Sequence, residues 1–335
     1  MLKKCFFSLF GLLYVSFISP SYSANDQRLQ IQPLAETSLL TDIVATPSSM
    51  ITVGQHGHVL RYDYPSSQWR QVETPTKSLL TKVFFIDEMK GWAVGHDATI
   101  LHTADGGLTW KMQMFAPELE KPFLDVLFFD AQHGVAVGAY GLFYRTIDGG
   151  QHWSEEFHQE LLFEEDIAYL AELKTENEQL YLSEREALLP HFNRIERIDE
   201  QHLMVVGELG LIAISADQGH LFSAVDSPYE GSFFNILNTG NALYVMGLRG
   251  HLFKTVWPDM QWLQISTPSQ TSINAALAQP DSITTVGNGG VIMNVTKADV
   301  ATIESQQLGQ DIVALAIDKL GDIWVVGSKG VQQLK

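Results

Sequence analysis

The stretch Thr52-Val53-Gly54-Gln55-His56-Gly57 is the first copy of a pattern in which two strand-favouring residues precede Gly-x-x-Gly. Five further copies follow: Ala136-Val137-Gly138-x-x-Gly141, Val205-Val206-Gly207-x-x-Gly210, Val245-Met246-Gly247-x-x-Gly250, Thr285-Val286-Gly287-x-x-Gly290 and Val325-Val326-Gly327-x-x-Gly330. A seventh, Ala93-Val94-Gly95-His96-Asp97-Ala98, has alanine in place of the second glycine. The first glycines are 41, 43, 69, 40, 40 and 40 residues apart. This near-constant spacing predicts a repeat protein with one interruption.

The internal structure of one repeat is clearest between Leu79 and Gln113. Residues 81–85, 92–94, 99–103 and 109–113 are rich in strand-favouring residues, and glycine or polar turns separate them. Four short strands in a repeat of about 40 residues are typical of a propeller blade. Seven copies predict an all-β, seven-bladed β-propeller of four-stranded blades. We expect glycine at both ends of each Gly-x-x-Gly turn because both positions need a positive φ.

Composition excludes several classes of protein. The 335 residues are 45% hydrophobic, which is too apolar for a disordered chain. There are 21 basic and 39 acidic residues, so the net charge is −18 and nucleic acid is not an expected partner. Phosphate-binding loops and nucleophile motifs are absent from the sequence. We therefore expect no cofactor.

The amino terminus has the features of a secretory signal peptide. Lys3 and Lys4 precede an apolar run over residues 5–18, and small, turn-prone residues fill 19–24. We predict that residues 1–24 are removed and that the mature protein is periplasmic or secreted. The alternative is an uncleaved anchor, but a run of 14 residues is short for a membrane span. The single cysteine, Cys5, would leave with the leader.

The remaining chain divides into a propeller over residues 28–335 and an acidic insertion within it. The last repeat supplies three strands, so we predict that residues 28–32 add the fourth strand of blade seven. The long third interval places the insertion at residues 154–190, between blades three and four. It carries a net charge of −9, and helical spacing of its apolar residues predicts a helical hairpin. Its acidic candidates for partner binding are Glu164, Glu165, Asp166, Glu172 and Glu176.

Three hairpin turns follow the Asp-box pattern S/T-x-D-x-G-x-x-W, the third of them loosely. They start at Thr103, Thr146 and Ser215. We assign them a structural role, in which the aspartate accepts backbone N–H bonds and the aromatic residue packs between blades. The residues concerned are Asp105, Trp110, Asp148, Trp153 and Asp217.

Sialidases share the Asp-box pattern, so the alternative function is a carbohydrate-active hydrolase that uses an acidic pair such as Asp97 and Glu208. A sialidase also needs a triad of arginines, and none of the eight arginines lies in the expected motif. We predict that the protein is not an enzyme. His56 and His58 have a spacing that could serve a metal, but no cysteine or carboxylate recurs at a matching distance, and we predict no metal site.

Two segments carry a family resemblance: Gly91 to Trp110, and Ser227-Pro-Tyr-Glu-Gly-Ser-Phe-Phe234. They resemble the photosystem II stability/assembly factor-like family of exported seven-bladed propellers. The resemblance implies a scaffold that assists assembly or operation of a membrane-protein complex. Phototroph members bind a photosystem subunit precursor and carry an arginine-rich patch. This sequence has few arginines and an acidic insertion, which suggests the non-photosynthetic bacterial branch, often associated with exporters.

One face of the ring should bind the partner. In a blade with strands A to D from the axis outward, the B–C turns and the D-to-A connections emerge on the same face. We expect this face to carry Gln55, His56, His96, Asp97, Tyr140, Glu208, Arg249, Tyr229, Glu230 and Phe233. Aromatic groups beside charges are typical of recognition surfaces. The expected partner is a membrane or exported protein with a basic surface, and we expect this chain to bind it as a monomer. The remaining possibility is that this chain is a purely structural subunit of an envelope complex.

Overall fold

Seven antiparallel sheets, one for each repeat, make up the computed structural model, which describes residues 31–334. Blade one contains β1 Leu40–Ala45, β2 Ser49–Gly54, β3 Val59–Asp63 and β4 Gln68–Val72. Blade two contains β5 Leu80–Phe85, β6 Gly91–Gly95, β7 Thr99–Thr103 and β8 Lys111–Met114, and blade three β9 Phe123–Phe128, β10 Gly134–Gly138, β11 Phe143–Thr146 and β12 Ser154–Glu155. These bounds confirm the four-strand unit that the sequence predicts.

Two α-helices, α1 Glu164–Glu176 and α2 Glu178–Leu188, separate blade three from blade four. Blade four contains β13 Phe192–Arg197, β14 Leu203–Gly207, β15 Ile212–Ser215 and β16 Ser223–Ala224, and blade five β17 Phe233–Asn238, β18 Leu243–Gly247, β19 Leu252–Thr255 and β20 Leu263–Ile265. Blade six contains β21 Ile273–Ala278, β22 Ser282–Gly287, β23 Val291–Thr296 and β24 Ala301–Gln306, and blade seven β25 Ile312–Ile317, β26 Ile323–Gly327 and β27 Gly330–Gln333. The seven-bladed β-propeller is thus confirmed.

The innermost strands of neighbouring blades contact one another around the axis, and β25 contacts β1, so the ring is closed. Polar side chains strengthen these contacts. Thr41 donates from Oγ1 to the carbonyl oxygen of Leu80 at 2.6 Å, and Asn274 donates from Nδ2 to that of Ile312 at 2.8 Å. Each lies where the register of the innermost strand shifts, so its side chain is free to reach the next blade.

The two glycines of the repeated turn serve different purposes. Gly57 has a φ of 72°, as expected of a left-handed position. Gly54 has a φ of 176°, which any residue adopts, so the expectation of a positive φ at both positions is wrong. A Cβ on Gly54 would overlap the carbonyl oxygen of Leu39 and lie 2.7 Å from Leu40 Cα. The first glycine is needed because β2 passes close to the start of β1.

The Asp-box turns lie between the third and fourth strands of their blades. Asp105 accepts hydrogen bonds from the backbone N–H of Thr109 at 2.9 Å and from the Thr103 hydroxyl at 2.8 Å. Trp110 is buried and meets the Phe85 ring edge-on. Equivalent contacts fix Asp148 and Trp153 in blade three, and Asp217 in blade four, where Phe222 takes the place of tryptophan. These contacts give the aspartates and aromatic residues a structural role.

The predicted helical hairpin is present, and it packs firmly on the propeller. Leu170 and Leu173 of α1 and Tyr181 of α2 are buried in the same apolar cluster as Phe192 of blade four. The Asn177 side chain caps α2 by accepting from the Leu180 N–H at 3.0 Å. The hairpin is therefore an extension of the core between blades three and four.

Blade seven has three strands within residues 31–334. The fourth strand predicted at residues 28–32 falls mainly outside the described residues. Its last two, Ile31 and Gln32, are not in a strand, and the Gln32 N–H donates to Gln71 Oε1 of blade one at 2.6 Å. The signal peptide predicted at residues 1–24 also lies outside the described residues. From residue 31 to 334, no helix is long and apolar enough to cross a membrane.

Candidate partner-binding face

One face of the ring, here called the turn face, is formed by the B–C turns and the D-to-A connections. Backbone hydrogen bonds tie the two together: Gln55 N–H donates to Leu39 O at 2.9 Å, and Ala98 N–H to Lys121 O at 3.1 Å. The helical hairpin is itself the D-to-A connection between blades three and four, so it rises from the same face. The opposite face carries the A–B and Asp-box turns.

In blade one, the turn face presents His56, whose side chain is exposed. Its Nε2 lies 2.7 Å from Gln55 Nε2. His58 is instead buried, with Nδ1 2.9 Å from Ser38 Oγ, and burial lowers the pKa of its imidazole. The two histidines therefore have different surroundings. Over residues 31–334, no group of three or more His, Cys, Asp or Glu side chains could hold a metal ion.

The alternative acidic pair, Asp97 and Glu208, belongs to different blades. In blade two, His96 is exposed, whereas Asp97 Oδ2 accepts a hydrogen bond from Ser78 Oγ at 2.5 Å and so fixes the turn to the adjoining connection. Glu208 lies in blade four and contacts His191. With blade three between them in the ring, each carboxylate has its own local structural partner.

At the junction of blades three and four, two of the predicted residues meet a third that sequence reasoning missed. The Tyr140 ring packs edge-on against His191, with centroids 4.5 Å apart. Glu208 Oε1 lies 3.5 Å from His191 Nδ1, and its Oε2 accepts from the His191 N–H at 3.4 Å. His191 carries no motif of its own; its position directly after Pro190 and before β13 is the one available signal.

Blade five requires a correction. Phe233, predicted to lie on the binding face, is fully buried because it begins β17 and its ring points into the blade core. Tyr229 is half-buried, with its ring 4.1 Å from that of His251. Glu230 and Arg249 are exposed on the turn face.

The charge of the insertion is unevenly compensated. At its base, Arg145 donates to both carboxylate oxygens of Glu156, at 2.6 and 2.9 Å, and also to Gln218 O of blade four. Glu164 and Glu165 are exposed in the first turn of α1, together with the half-buried Asp166, and Glu172 and Glu176 are exposed further along. Acidic residues in a first helical turn are favoured by the helix dipole, which accounts for part of this pattern without any partner.

A groove opens between the base of the hairpin and the B–C turn of blade four. Its volume is about 250 Å³. The apolar lining includes Phe163, Leu188, Leu209 and Leu211, and Glu160 and Glu208 also contribute to it. None of the apolar residues was predicted from the sequence, because the hairpin and the turn are brought together only by the fold.

Comparison with known proteins shows a local sequence match to one family. Residues 61–121 match the family model described as photosynthesis system II assembly factor YCF48. The chain is 42% identical over 43 residues to the photosystem II assembly protein Ycf48 of Thermosynechococcus vestitus, which covers 13% of this chain and 12% of that protein. It is 43% identical over 47 residues to the protein of the same name from Synechococcus sp. strain JA-3-3Ab, covering 13% and 14%. The match thus spans only a small part of either relative.

Solved structures extend the likeness to the whole fold. A structure described as YCF48 from Cyanidioschyzon merolae covers 91% of this chain and 97% of its own, with a TM-score of 0.67 and 16% identity. One described as YCF48 bound to D1 peptide covers 91% and 94%, with a TM-score of 0.63 and 15% identity. The chain is therefore similar to Ycf48 proteins in sequence over residues 61–121 and in fold over most of its length. The WD40 propeller of Doa1 is as similar in shape, with a TM-score of 0.65 at 12% identity, so shape alone shows the fold and no more.

The segment that matches the Ycf48 family model runs from blade one into the connection after blade two. It includes His96, Asp97 and the Asp box at Asp105, but it ends before the hairpin. The groove beside the hairpin therefore lies in a part of the propeller that the match does not cover.

The central channel of the ring holds charged groups that the sequence analysis missed. The cavity has a volume of about 440 Å³ and is lined by the innermost strand of every blade. Lys82 Nζ lies 3.0 Å from Asp42 Oδ1, and Arg194 lies 3.4 Å from Asp125 and 3.8 Å from Glu196. Burial raises the pKa of the Glu196 carboxyl, although Arg194 opposes this. These pairs join neighbouring blades or stabilise one strand, and we assign them to the closed ring.

Proposed function

We propose that this chain is a non-catalytic binding propeller that holds a protein partner on its turn face. We further propose that it assists assembly or operation of a membrane-protein complex. The observation that carries the proposal is the convergence of exposed His56, Tyr140 and Arg249 with an ordered acidic hairpin on one face of a Ycf48-like ring. The propeller fold by itself implies no particular function, so the proposal rests on this face. The relatives named Ycf48 are described as photosystem II assembly proteins, and one structure holds a peptide.

The partner and compartment belong to the same proposal. The few arginines and the acidic insertion favour the non-photosynthetic branch of the family, a partner with a basic surface, and association with an exporter. The features of residues 1–24 favour export to the periplasm. Cell fractionation with amino-terminal sequencing tests the location: we expect the protein in the periplasmic fraction without its leader. Recovery of the full-length chain from the cytoplasm would contradict the proposal.

Photo-crosslinking in the cells that make the protein tests the binding face. A photoreactive phenylalanine is placed at His56, Tyr140 or Arg249 on the turn face, and in control variants at Ile147 or Leu320, which are exposed in turns of the opposite face. We expect discrete adducts from the turn-face positions alone. Equal adducts from both faces, or none from the turn face, would reject the proposed surface.

A further inference from the structure

The groove between the hairpin and blade four has two apolar residues in places where folding gains nothing from them. Leu209 is 65% exposed and has a φ of 53°, a left-handed conformation that is unfavourable for a residue with a Cβ. The corresponding residues of other blades include His56, Asp97 and Arg249. An exposed leucine in a strained turn contributes no burial to the core.

Phe163 is the second such residue. It occupies the N-cap of α1, makes no side-chain capping bond, and is 58% exposed. Serine, threonine, aspartate or asparagine at this position would stabilise the helix by capping it. Phe163 and Leu209, each unfavourable for the local backbone structure, line the same groove. We read this coincidence as an apolar surface kept for binding, since neither residue improves the fold.

The charge around the groove indicates what it binds. Glu164 and Glu165 directly follow Phe163 and are exposed. Glu160 and Glu208 also contribute to the lining, although each already contacts a histidine, His158 and His191 respectively. The basic residues of the hairpin are engaged elsewhere: Lys174 lies over the Tyr181 ring, and Arg185 lies over the rings of Phe157 and Tyr181 and pairs with Glu155. An apolar groove with an acidic border is complementary to an apolar side chain with Lys or Arg beside it.

We infer that this groove binds a partner peptide segment in which a large apolar side chain is flanked by lysine or arginine. The inference rests on the proposed function, because it names the chemistry that the turn face recognises at one point. Burial of a leucine or phenylalanine side chain in the groove supplies the main attraction, and the acidic border adds charge attraction and specificity.

Fluorescence anisotropy with the purified chain tests the inference. The probe is a labelled synthetic peptide with a Leu-Phe pair between two pairs of lysines. Comparison peptides replace the lysines by glutamates or the Leu-Phe pair by serines. We expect the first peptide to bind and both comparison peptides to bind at least about tenfold more weakly. Binding should weaken as salt is added, because the charges are exposed.

Matched variants locate the site. Phe163→Ser and Leu209→Ser should each weaken binding about tenfold, while Leu263→Ser, at a residue 55% exposed on blade five, should leave it unchanged. Glu164→Lys should weaken binding more than Glu176→Lys, because Glu176 lies about 18 Å further along α1. Circular dichroism melts establish that each variant is folded.

The outcomes separate this inference from the proposed function. The groove would be rejected as a binding site if the basic apolar peptide failed to bind. It would also be rejected if Leu209→Ser and Phe163→Ser bound the peptide as tightly as the unmodified chain. Turn-face crosslinks from Tyr140 and Arg249 would then still support the binding propeller. Absence of turn-face crosslinks from these positions, in a chain with Phe163 and Leu209 unchanged, would instead overturn the proposed function.

Discussion

Replacing Gly54 by alanine should destabilise the propeller far more than the same change at Gly240. Gly54 has an extended φ of 176°, so alanine meets no backbone strain there. Its Cβ would lie 2.7 Å from Leu40 Cα and would overlap the Leu39 carbonyl oxygen. Carbon atoms in contact are normally 3.5–4.0 Å apart. The overlap of about 1 Å is with backbone, which cannot rotate aside, so we expect a loss of ~3 kcal/mol.

Gly240 provides the matched control. Its φ is 79° and no heavy atom would lie within 4 Å of an added Cβ. Alanine there incurs only the left-handed cost of about 1–2 kcal/mol, partly offset by a loss of about 0.4–1 kcal/mol of unfolded-state entropy. A folded chain of roughly 300 residues has an unfolding entropy of ~0.6 kcal/mol/K. The expected drops in Tm are therefore about 5 °C for Gly54→Ala and about 1–2 °C for Gly240→Ala.

Thermal unfolding followed by circular dichroism measures both variants. Similar drops in Tm, or a larger drop for Gly240→Ala, would refute the steric explanation. The first glycine of each repeat would then need another reason.

Three further predictions concern stability. Trp92→Ala should cost about 4 kcal/mol in the free energy of unfolding, measured by denaturant titration, because Trp92 is 1% exposed and stacks on the next blade; a cost below about 1 kcal/mol would contradict this. Arg145→Met should cost about 2 kcal/mol, and a double-mutant cycle with Glu156→Gln should show coupling; additive effects would argue against the ion pair. The backbone N–H and imidazole of His152 lower the pKa of the Asp148 carboxyl to about 2, from 3.8. The stability that this carboxylate contributes is present above about pH 4 and is lost as the pH falls towards 2. Asp148→Asn should therefore lower the Tm at pH 6 but not near pH 2. A drop in Tm of the same size at both pH values would exclude this linkage.

The sequence predicts the blades well because their hydrogen bonds join residues close in the chain. The Gly-x-x-Gly spacing predicts seven blades, and the fit of Asp105 to the Asp-box pattern predicts a turn between strands. The position of the acidic insertion and its helical structure are also predicted correctly. Both can be read from a short stretch of sequence, because the helical spacing of its apolar residues involves only near neighbours in the chain. The prediction that Phe233 lies on the binding face is wrong because it depends on where the strand begins. Phe233 adjoins exposed loop residues in sequence, yet it is the first residue of a strand and is buried.

The repeated unit, the number of its copies and the position of its interruption can all be established from the sequence alone. Tertiary structure alone decided which residues of different repeats meet. Thr41 bonds to Leu80 across 39 residues, and Phe163 faces the groove that Leu209 lines from the next blade. Such pairs leave no periodic signal, because each depends on ring closure and on how the hairpin packs against blade four. The recognition chemistry proposed for the groove therefore arises between repeats, while the fold arises within them.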